Sequence, residues 1–124
     1  MGELTTTIPR PLARVEVDVR DALRAEGFGV LTEIDVAAVF REKLGVDRPP
    51  LKILGACNPH FAHDALARDA DAALVLPCNV ALEALDDDTT RVSIADPVSL
   101  MPASDLAELT QDARARLARV IAAL

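Results

Sequence analysis

The stretch "LKILGACNPHFAHDALAR" (51–68) decides the fold, because one element of secondary structure ends inside it and another begins. Residues 51–57 form a short apolar run after the chain-breaking "DRPP" (47–50), which predicts a strand. Asn58 and Pro59 then form a strong helix start, since Asn favours the N-cap and Pro the first helical position. The sequence therefore predicts a strand that leads directly into a helix over 59–68.

The residues before this stretch predict a helix, a strand and a second helix. One helical stripe favours a helix over 12–26, although the alternation of valines in 13–21 also fits a strand; the stripe consists of Leu12, Val15, Val19, Ala22 and Leu23. Gly27 ends this helix, and "FGVLTEI" (28–34) is a strand rich in β-branched and aromatic residues. Asp35 caps the next helix, which Gly45 ends.

The residues after the central stretch predict a hairpin and a long helix. We expect residues 72–85 to be extended, with Pro77 interrupting the hydrogen-bond ladder at an edge or a bulge. A turn at 86–90 leads into a strand over 91–95, and residues 96–104 form a loop that has room for one short helical turn. A final helix spans 104–123, with Ser104 as its cap and an apolar face for packing.

These elements predict an α+β fold in a single domain, residues 1–124. The sheet has about five strands that are mostly antiparallel, and the helices pack on one side of it. The length of 124 residues fits one domain, and a hydrophobic content of 51% is ample for one core.

Charge and composition narrow the partners and the location. The net charge of −7 would repel the phosphate backbone, so we do not expect nucleic-acid binding. No apolar run approaches the roughly 18 residues that a membrane span needs, and "MGELTTTIPRP" lacks the features of a secretion signal. Two cysteines without an export signal indicate thiols in a reducing compartment, so we expect a cytoplasmic protein. The excess of Arg over Lys and the abundance of Ala suggest a bacterial source.

Two Cys-Asn pairs, at 57–58 and 78–79, are the candidate site. Both follow apolar segments that resemble buried strands, so we expect Cys57 and Cys78 to lie close together near the start of the 59–68 helix. On that helix, His60 and His63 face away from the apolar side.

Four interpretations of these residues remain open. In the first, the cysteines are small buried hydrophobic residues and Asn58 is only a helix cap. In the second, some of Cys57, His60, His63 and Cys78 hold a metal ion or haem. Alternatively, Cys57 or Cys78 is a redox thiol or nucleophile, or the two Asn side chains line a pocket for an organic molecule. The fingerprints of the common hydrolases, nucleotide-binding proteins and zinc proteases are absent from the sequence.

Over about residues 12–124 the sequence resembles the domain of unknown function 302 family. The resemblance rests on "GFGVLTEIDV", "ILGACNP" followed by "AHDAL", "LPCNV" and "RVSIADP". The positions that match the family pattern are Gly27, Phe28, Glu33, Cys57, Asn58, Pro59, Pro77, Cys78 and Asn79. His63 resembles a frequent family choice, whereas His60 falls where the family varies.

The resemblance implies a small α+β fold and a homodimer, and it implies no reaction. We therefore favour a non-catalytic module that binds a small ligand, a metal ion or haem at the two Cys-Asn motifs. The expected ligand-binding residues are Cys57, Asn58, His63, Cys78, Asn79 and Glu33. The alternative is a thiol-dependent redox or nucleophilic enzyme that uses Cys57 or Cys78.

Overall fold

The computed structural model describes residues 4–124. Residues 1–3, where the segment considered for a secretion signal begins, lie outside the described part. The five strands are β1 (Thr5–Ile8), β2 (Gly29–Asp35), β3 (Leu51–Cys57), β4 (Cys78–Asp86) and β5 (Thr89–Ile94). The α-helices are α1 (Leu12–Ala25), α2 (Val36–Leu44), α3 (Pro59–Arg68), α4 (Pro97–Leu100) and α5 (Ala107–Ala122), and 3-10 turns span Ala70–Leu74 and Ser104–Leu106.

The five strands form one sheet in the order β1-β5-β4-β3-β2. Every neighbouring pair in this sheet is antiparallel. The predicted α+β fold with a five-stranded antiparallel sheet is therefore confirmed. No helix within residues 4–124 is long and apolar enough to cross a membrane.

One face of the sheet, here called the covered face, is buried beneath α1 and α5. Alternate strand residues point into this core, and each is buried: Leu54, Ala56, Cys78, Val80, Leu82, Val92 and Ile94. The helices contribute the buried residues Val15, Val19, Leu23, Leu117 and Val120. The stripe that favoured a helix at 12–26 therefore does pack against the sheet, which settles the ambiguity between helix and strand.

The opposite face, here called the open face, carries the other set of alternating residues. Leu51, Ile53, Cys57, Ala81 and Ser93 lie on it and are half-buried. Gly55 also lies on it, and a Cβ there would sit 2.1 Å from Thr32 Oγ1 and 2.8 Å from Pro77 Cγ. Pro77 and the Thr32 side chain therefore pack directly onto this glycine, where no side chain fits.

A second, smaller core lies where α3 meets α5. It consists of Phe61, Ala65, Ala72, Met101, Leu106 and Ala113. This cluster draws together α3, both 3-10 turns, the residue after α4 and one face of α5. It fixes the position of α3 relative to α5, and so positions the site described below.

Two corrections to the predicted elements arise around this second core. Residues 72–85 are not extended throughout: a 3-10 turn spans Ala70–Leu74, and β4 begins only at Cys78. Pro77 therefore precedes the strand, joined to Leu76 by a cis peptide bond, and does not interrupt a ladder. The turn replaces the strand because it buries Ala72 in the second core.

Ser104 does not cap the last helix. It begins a 3-10 turn, and α5 starts at Ala107 without a side-chain cap. Burial of Leu106 in the second core accounts for this geometry, since the turn directs that side chain inward. Strand β1 was absent from the strands identified in the sequence, although its four residues are all β-branched.

Candidate functional site

Asn58 joins β3 to α3 and is the best-defined polar residue near the predicted site. Its Oδ1 accepts a hydrogen bond from the backbone N–H of Phe61 at 3.2 Å, and Pro59 occupies the first turn. The predicted cap is therefore present. The residue is only 8% exposed, so its side-chain amide is held in place by the surrounding atoms.

Gly27 lies against this asparagine. It has a φ of +84°, and the adjacent backbone closes α1 with hydrogen bonds from Gly27 N–H to Arg24 and from Phe28 N–H to Leu23. A Cβ at Gly27 would lie 3.1 Å from Asn58 Nδ2. Glycine thus serves both the left-handed backbone and the close approach of the Asn58 amide. The segments "GFGVLTEIDV" and "ILGACNP" therefore meet at this contact.

A groove of about 280 Å³ opens beside this contact, between α3 and α5. We call it the α3–α5 groove. Its polar lining consists of Asn58, His60 and Asp64 on the α3 side and Asp112 and Arg116 on α5.

Apolar side chains and Gly27 complete the lining of this groove. Phe61, Leu109 and Ala113 supply the apolar part. Phe61 and Ala113 also belong to the second core, so this part of the wall is fixed by packing.

Arg116 ties α5 to the turn that contains Gly27. Its Nε donates to Asp112 Oδ2 at 3.0 Å, and its Nη1 donates to the carbonyl of Glu26 at 3.4 Å. Arg119 Nε donates to the Glu26 carboxylate at 2.9 Å. These contacts hold the α5 wall of the groove against the end of α1.

The groove holds more fixed negative than positive charge. Asp64 and Asp112 contribute two carboxylates, and Arg116 contributes one guanidinium that is already bonded to Asp112. Asp64 Oδ1 contacts His63 Nδ1 at 3.2 Å. The amino-terminal end of α3 adds partial positive charge on the Asn58 side. The Asn58 side of the groove is therefore more positive than the side that carries the two aspartates.

Cys57 lies outside the groove lining, on the open face of the sheet. It is half-buried and pairs with Gly29 of the edge strand β2. Burial raises the pKa of its thiol above the ordinary value. The position of Cys57 directly before α3 therefore does not lower the pKa of its thiol.

Cys78 lies on the covered face and is only 4% exposed. Burial, with a smaller contribution from the nearby Cys57 thiol, raises its pKa to about 11. Cys78 pairs with Ala56, so the two cysteines lie on neighbouring strands. Because consecutive strand residues point to opposite faces, the two thiols do not face one another across a common site. The next residue, Asn79, is exposed on the open face.

The two histidines lie on the solvent side of α3, as the helical periodicity predicted. His60 borders the groove, and the His63 side chain is 83% exposed. Within residues 4–124 no group of three or more Cys, His, Asp or Glu side chains is arranged to hold a metal ion. The proposed metal ligands Cys57, His60, His63 and Cys78 are thus not assembled as a cluster in the described residues.

Glu33 takes part in an ion-pair network rather than in the groove. Its carboxylate accepts from Lys52 Nζ at 2.6 Å and from Arg20 at 3.3 Å, and Lys52 also donates to Glu16 at 2.9 Å. The hydrogen bond and charge of Lys52 lower the pKa of Glu33, and the two glutamates raise the pKa of Lys52. The network connects β2 and β3 to α1.

Three polar residues of the groove were not singled out from the sequence: Asp64, Asp112 and Arg116. Asp112 and Arg116 are four residues apart on α5, a spacing that indicates an ion pair on one helix face. That spacing could have indicated the pair, but it does not tell which charged residue of α5 faces α3.

The fold and the groove define a small α+β domain whose antiparallel sheet carries helices on one face and whose Asn-capped helix borders a polar cleft. The chain belongs to the DUF302 family, described as "Domain of unknown function DUF302", because the family model matches residues 4–124. The crystal structure of an uncharacterized conserved DUF302 protein from Bacillus stearothermophilus is similar, with a TM-score of 0.85 and 28% sequence identity. The alignment covers 96% of this chain and 94% of that one. No curated protein matches the sequence.

Proposed function

We propose that this protein is a non-catalytic module that binds a small molecule in the α3–α5 groove. The observation that carries the proposal is the Asn58 side-chain amide. Its oxygen is occupied by the Phe61 N–H, but its Nδ2 makes no hydrogen bond within residues 4–124.

The position of this amide nitrogen supports a role in binding. Within the described residues, no fully buried side-chain nitrogen or oxygen lacks a hydrogen-bond partner. The unpaired Nδ2 of Asn58 must therefore reach the surface, and the surface that Asn58 lines is the groove. A donor in a residue that is more than nine-tenths buried loses little entropy when it binds an acceptor.

The thiol-enzyme alternative receives less support. A nucleophilic thiol needs a lowered pKa, and burial raises the pKa of both Cys57 and Cys78. Neither thiol lines the groove. We therefore propose that Cys78 packs the core and that Cys57 and Asn79 form part of the open face.

We place this binding module in the bacterial cytoplasm as part of the proposal. The two cysteines are free thiols, as a reducing compartment requires. The net charge of −7 and the excess of carboxylates in the groove argue for a small-molecule partner over a nucleic acid. A metal ion is a weaker candidate for the ligand, because no group of three or more Cys, His, Asp or Glu side chains within residues 4–124 is arranged to hold one.

Two-dimensional ¹H–¹⁵N NMR tests the proposed function directly. The ¹⁵N-labelled protein is mixed with small metabolites that carry a carbonyl or carboxylate: amino acids, hydroxy acids, sugar acids and nucleosides. We expect at least one of them to shift the amide signals of residues that line the groove.

Matched variants connect any such shift to Asn58. Asn58→Asp keeps a good cap but removes the amide donor, so it should abolish the shifts. Asn79→Asp makes the same chemical change outside the groove and should leave them in place. If no compound shifts groove signals, or if Asn58→Asp binds as the wild type does, the proposed function is wrong.

We also propose that the protein forms a homodimer through β2 and α2. Of the ten large hydrophobic side chains exposed within residues 4–124, five fall between residues 31 and 46: Leu31, Ile34, Val39, Leu44 and Val46. Strand β2 is also an edge strand with one unpaired side, and two copies of such an edge can pair about a two-fold axis.

Light scattering after size-exclusion chromatography tests this association. The wild type should have the mass of a dimer, and Ile34→Lys should shift the protein toward the monomer. Leu74→Lys places the same charge on an exposed leucine outside this surface and should remain dimeric. A monomeric wild type at high micromolar concentration would remove the proposal.

A further inference from the structure

We propose that the ligand of the α3–α5 groove is a small zwitterion that carries a carboxylate and an ammonium group, as a free amino acid does. This inference rests on the proposed function and adds the chemical class of the ligand. It follows from the uneven distribution of donors and carboxylates along the groove.

The Asn58 end of the groove favours a carboxylate. The unpaired Nδ2 of Asn58 is a donor, and it lies at the amino-terminal end of the ten-residue helix α3. Among the first-turn backbone groups, the N–H of Phe61 already bonds to Asn58, and Pro59 has none. The N–H of His60 has no acceptor within the helix, as expected for a first-turn group. Both donors therefore belong to the positive end of this helix, in residues that line the groove.

The other polar residues of the groove favour a cation. Asp64 and Asp112 outnumber the single guanidinium of Arg116, which is bonded to Asp112 and to the carbonyl of Glu26. An anion alone would bind beside two carboxylates. A cation alone would make no hydrogen bond with the Asn58 amide donor. A molecule with both charges satisfies both ends of the groove.

The size and the apolar part of the groove complete the inference. Its volume of about 280 Å³ is just below the range of roughly 300–1,000 Å³ that holds drug-sized ligands, which indicates a smaller molecule. Phe61 and Leu109 present apolar surface beside the polar groups. An amino acid with an aliphatic side chain is therefore a suitable probe.

Titration of three related compounds tests the inference by NMR. L-leucine carries both charged groups, 4-methylpentanoate lacks the ammonium group, and 3-methylbutylamine lacks the carboxylate. We expect leucine to bind to the groove with a dissociation constant about fivefold to tenfold lower than that of either analogue, since each analogue loses one charged hydrogen-bond set.

Variants at the two ends of the groove should affect the compounds differently. Asn58→Asp should weaken leucine and 4-methylpentanoate by at least about tenfold, because it replaces the donor with a carboxylate. Asp64→Asn should weaken leucine and 3-methylbutylamine by about threefold and should not weaken 4-methylpentanoate. Asp71→Asn, which changes an exposed aspartate outside the groove, should alter none of them.

The results separate this inference from the proposed function. If leucine and both analogues bind equally, or if none of them shifts groove signals while another class of metabolite does, the zwitterion is wrong and the binding module remains. If no compound of any class shifts groove signals, both proposals fail.

Discussion

The two Cys-Asn motifs share the same pair of residues and have opposite environments. In the first motif the cysteine is half-buried on the open face and Asn58 is buried as the cap of α3. In the second motif Cys78 is buried in the main core and Asn79 is exposed. The burial of cysteine and asparagine is thus exchanged between the two motifs.

The position of each motif in its strand explains this exchange. Cys57 is the last residue of β3, whereas Cys78 is the first residue of β4, and Cys78 pairs with Ala56. Neighbouring residues of a strand point to opposite faces, so a one-residue offset between paired strands sends the two cysteines to different faces. Identical dipeptides therefore indicate a shared structural role only when their strand register also matches.

The largest expected effect comes from the difference between buried and exposed positions along β4. Leu82 lies on the same face as Cys78 and is 0% exposed, whereas Leu85 of the same strand is 48% exposed. Leu82→Ala should lower the free energy of unfolding by about 2–5 kcal/mol, because it leaves a cavity in the main core. Leu85→Ala should change it by no more than about 0.5 kcal/mol.

Urea unfolding followed by far-ultraviolet circular dichroism measures both values, since the chain has no Trp or Tyr to report by fluorescence. Equal losses for the two variants would mean that the covered face is not the main core.

The second-largest expected effect is a loss of stability at alkaline pH, which we attribute mainly to the Cys78 thiol of the second motif. The pKa of Cys78 is about 11 in the folded protein, against an ordinary value of 9.0. The unfolded thiol therefore loses its proton first, so the stabilisation is fully present below pH 9 and is lost as the pH rises to about 11. The expected loss is roughly 2–3 kcal/mol, at about 1.4 kcal/mol for each unit of pKa.

The composition makes this measurement clean. There is no tyrosine to titrate in the same range, and the pKa of Lys52 is raised above 10.5, so its contribution is lost only at still higher pH. Unfolding free energies between pH 8 and about pH 10.5 should fall in the wild type and much less in Cys78→Ala. Cys57→Ala should retain most of the fall. An unchanged fall in Cys78→Ala would contradict the assignment.

Local signals in the sequence predicted the elements that depend on neighbouring residues. Asp35 caps α2 by accepting from the Ala38 N–H at 2.9 Å, Asn58 caps α3, and Gly27 ends α1 with a positive φ. Each of these features depends on residues within about one helical turn, so a short stretch of sequence is enough to predict it.

The predictions that were wrong concern elements that depend on contacts between distant residues. The turn at Ala70–Leu74 and the late start of α5 follow from burial of Ala72 and Leu106 in the second core, which local propensity does not describe. The residues of the candidate site were only partly predicted for the same reason. Asn58 was identified from its motif, but Asp112 and Arg116 were missed because facing α3 is a property of the assembled fold.

The smallest expected effect separates the two asparagines. Asn58→Ala should lower the free energy of unfolding by about 1 kcal/mol, because α3 loses the acceptor for the Phe61 N–H. Asn79→Ala should change it by no more than about 0.5 kcal/mol, because Asn79 is exposed and caps no helix. Urea unfolding at neutral pH measures both changes.

A third variant tells capping apart from binding. Asn58→Asp keeps an oxygen for the Phe61 N–H, and aspartate is as good an N-cap as asparagine, so it should lose less stability than Asn58→Ala does. The same variant lacks the amide donor of Asn58. A smaller loss of stability than in Asn58→Ala, combined with lost binding, would assign the Asn58 oxygen to the fold and its nitrogen to the ligand. Equal stability losses in Asn58→Ala and Asn79→Ala would instead show that the two motifs do not differ in the way the geometry requires.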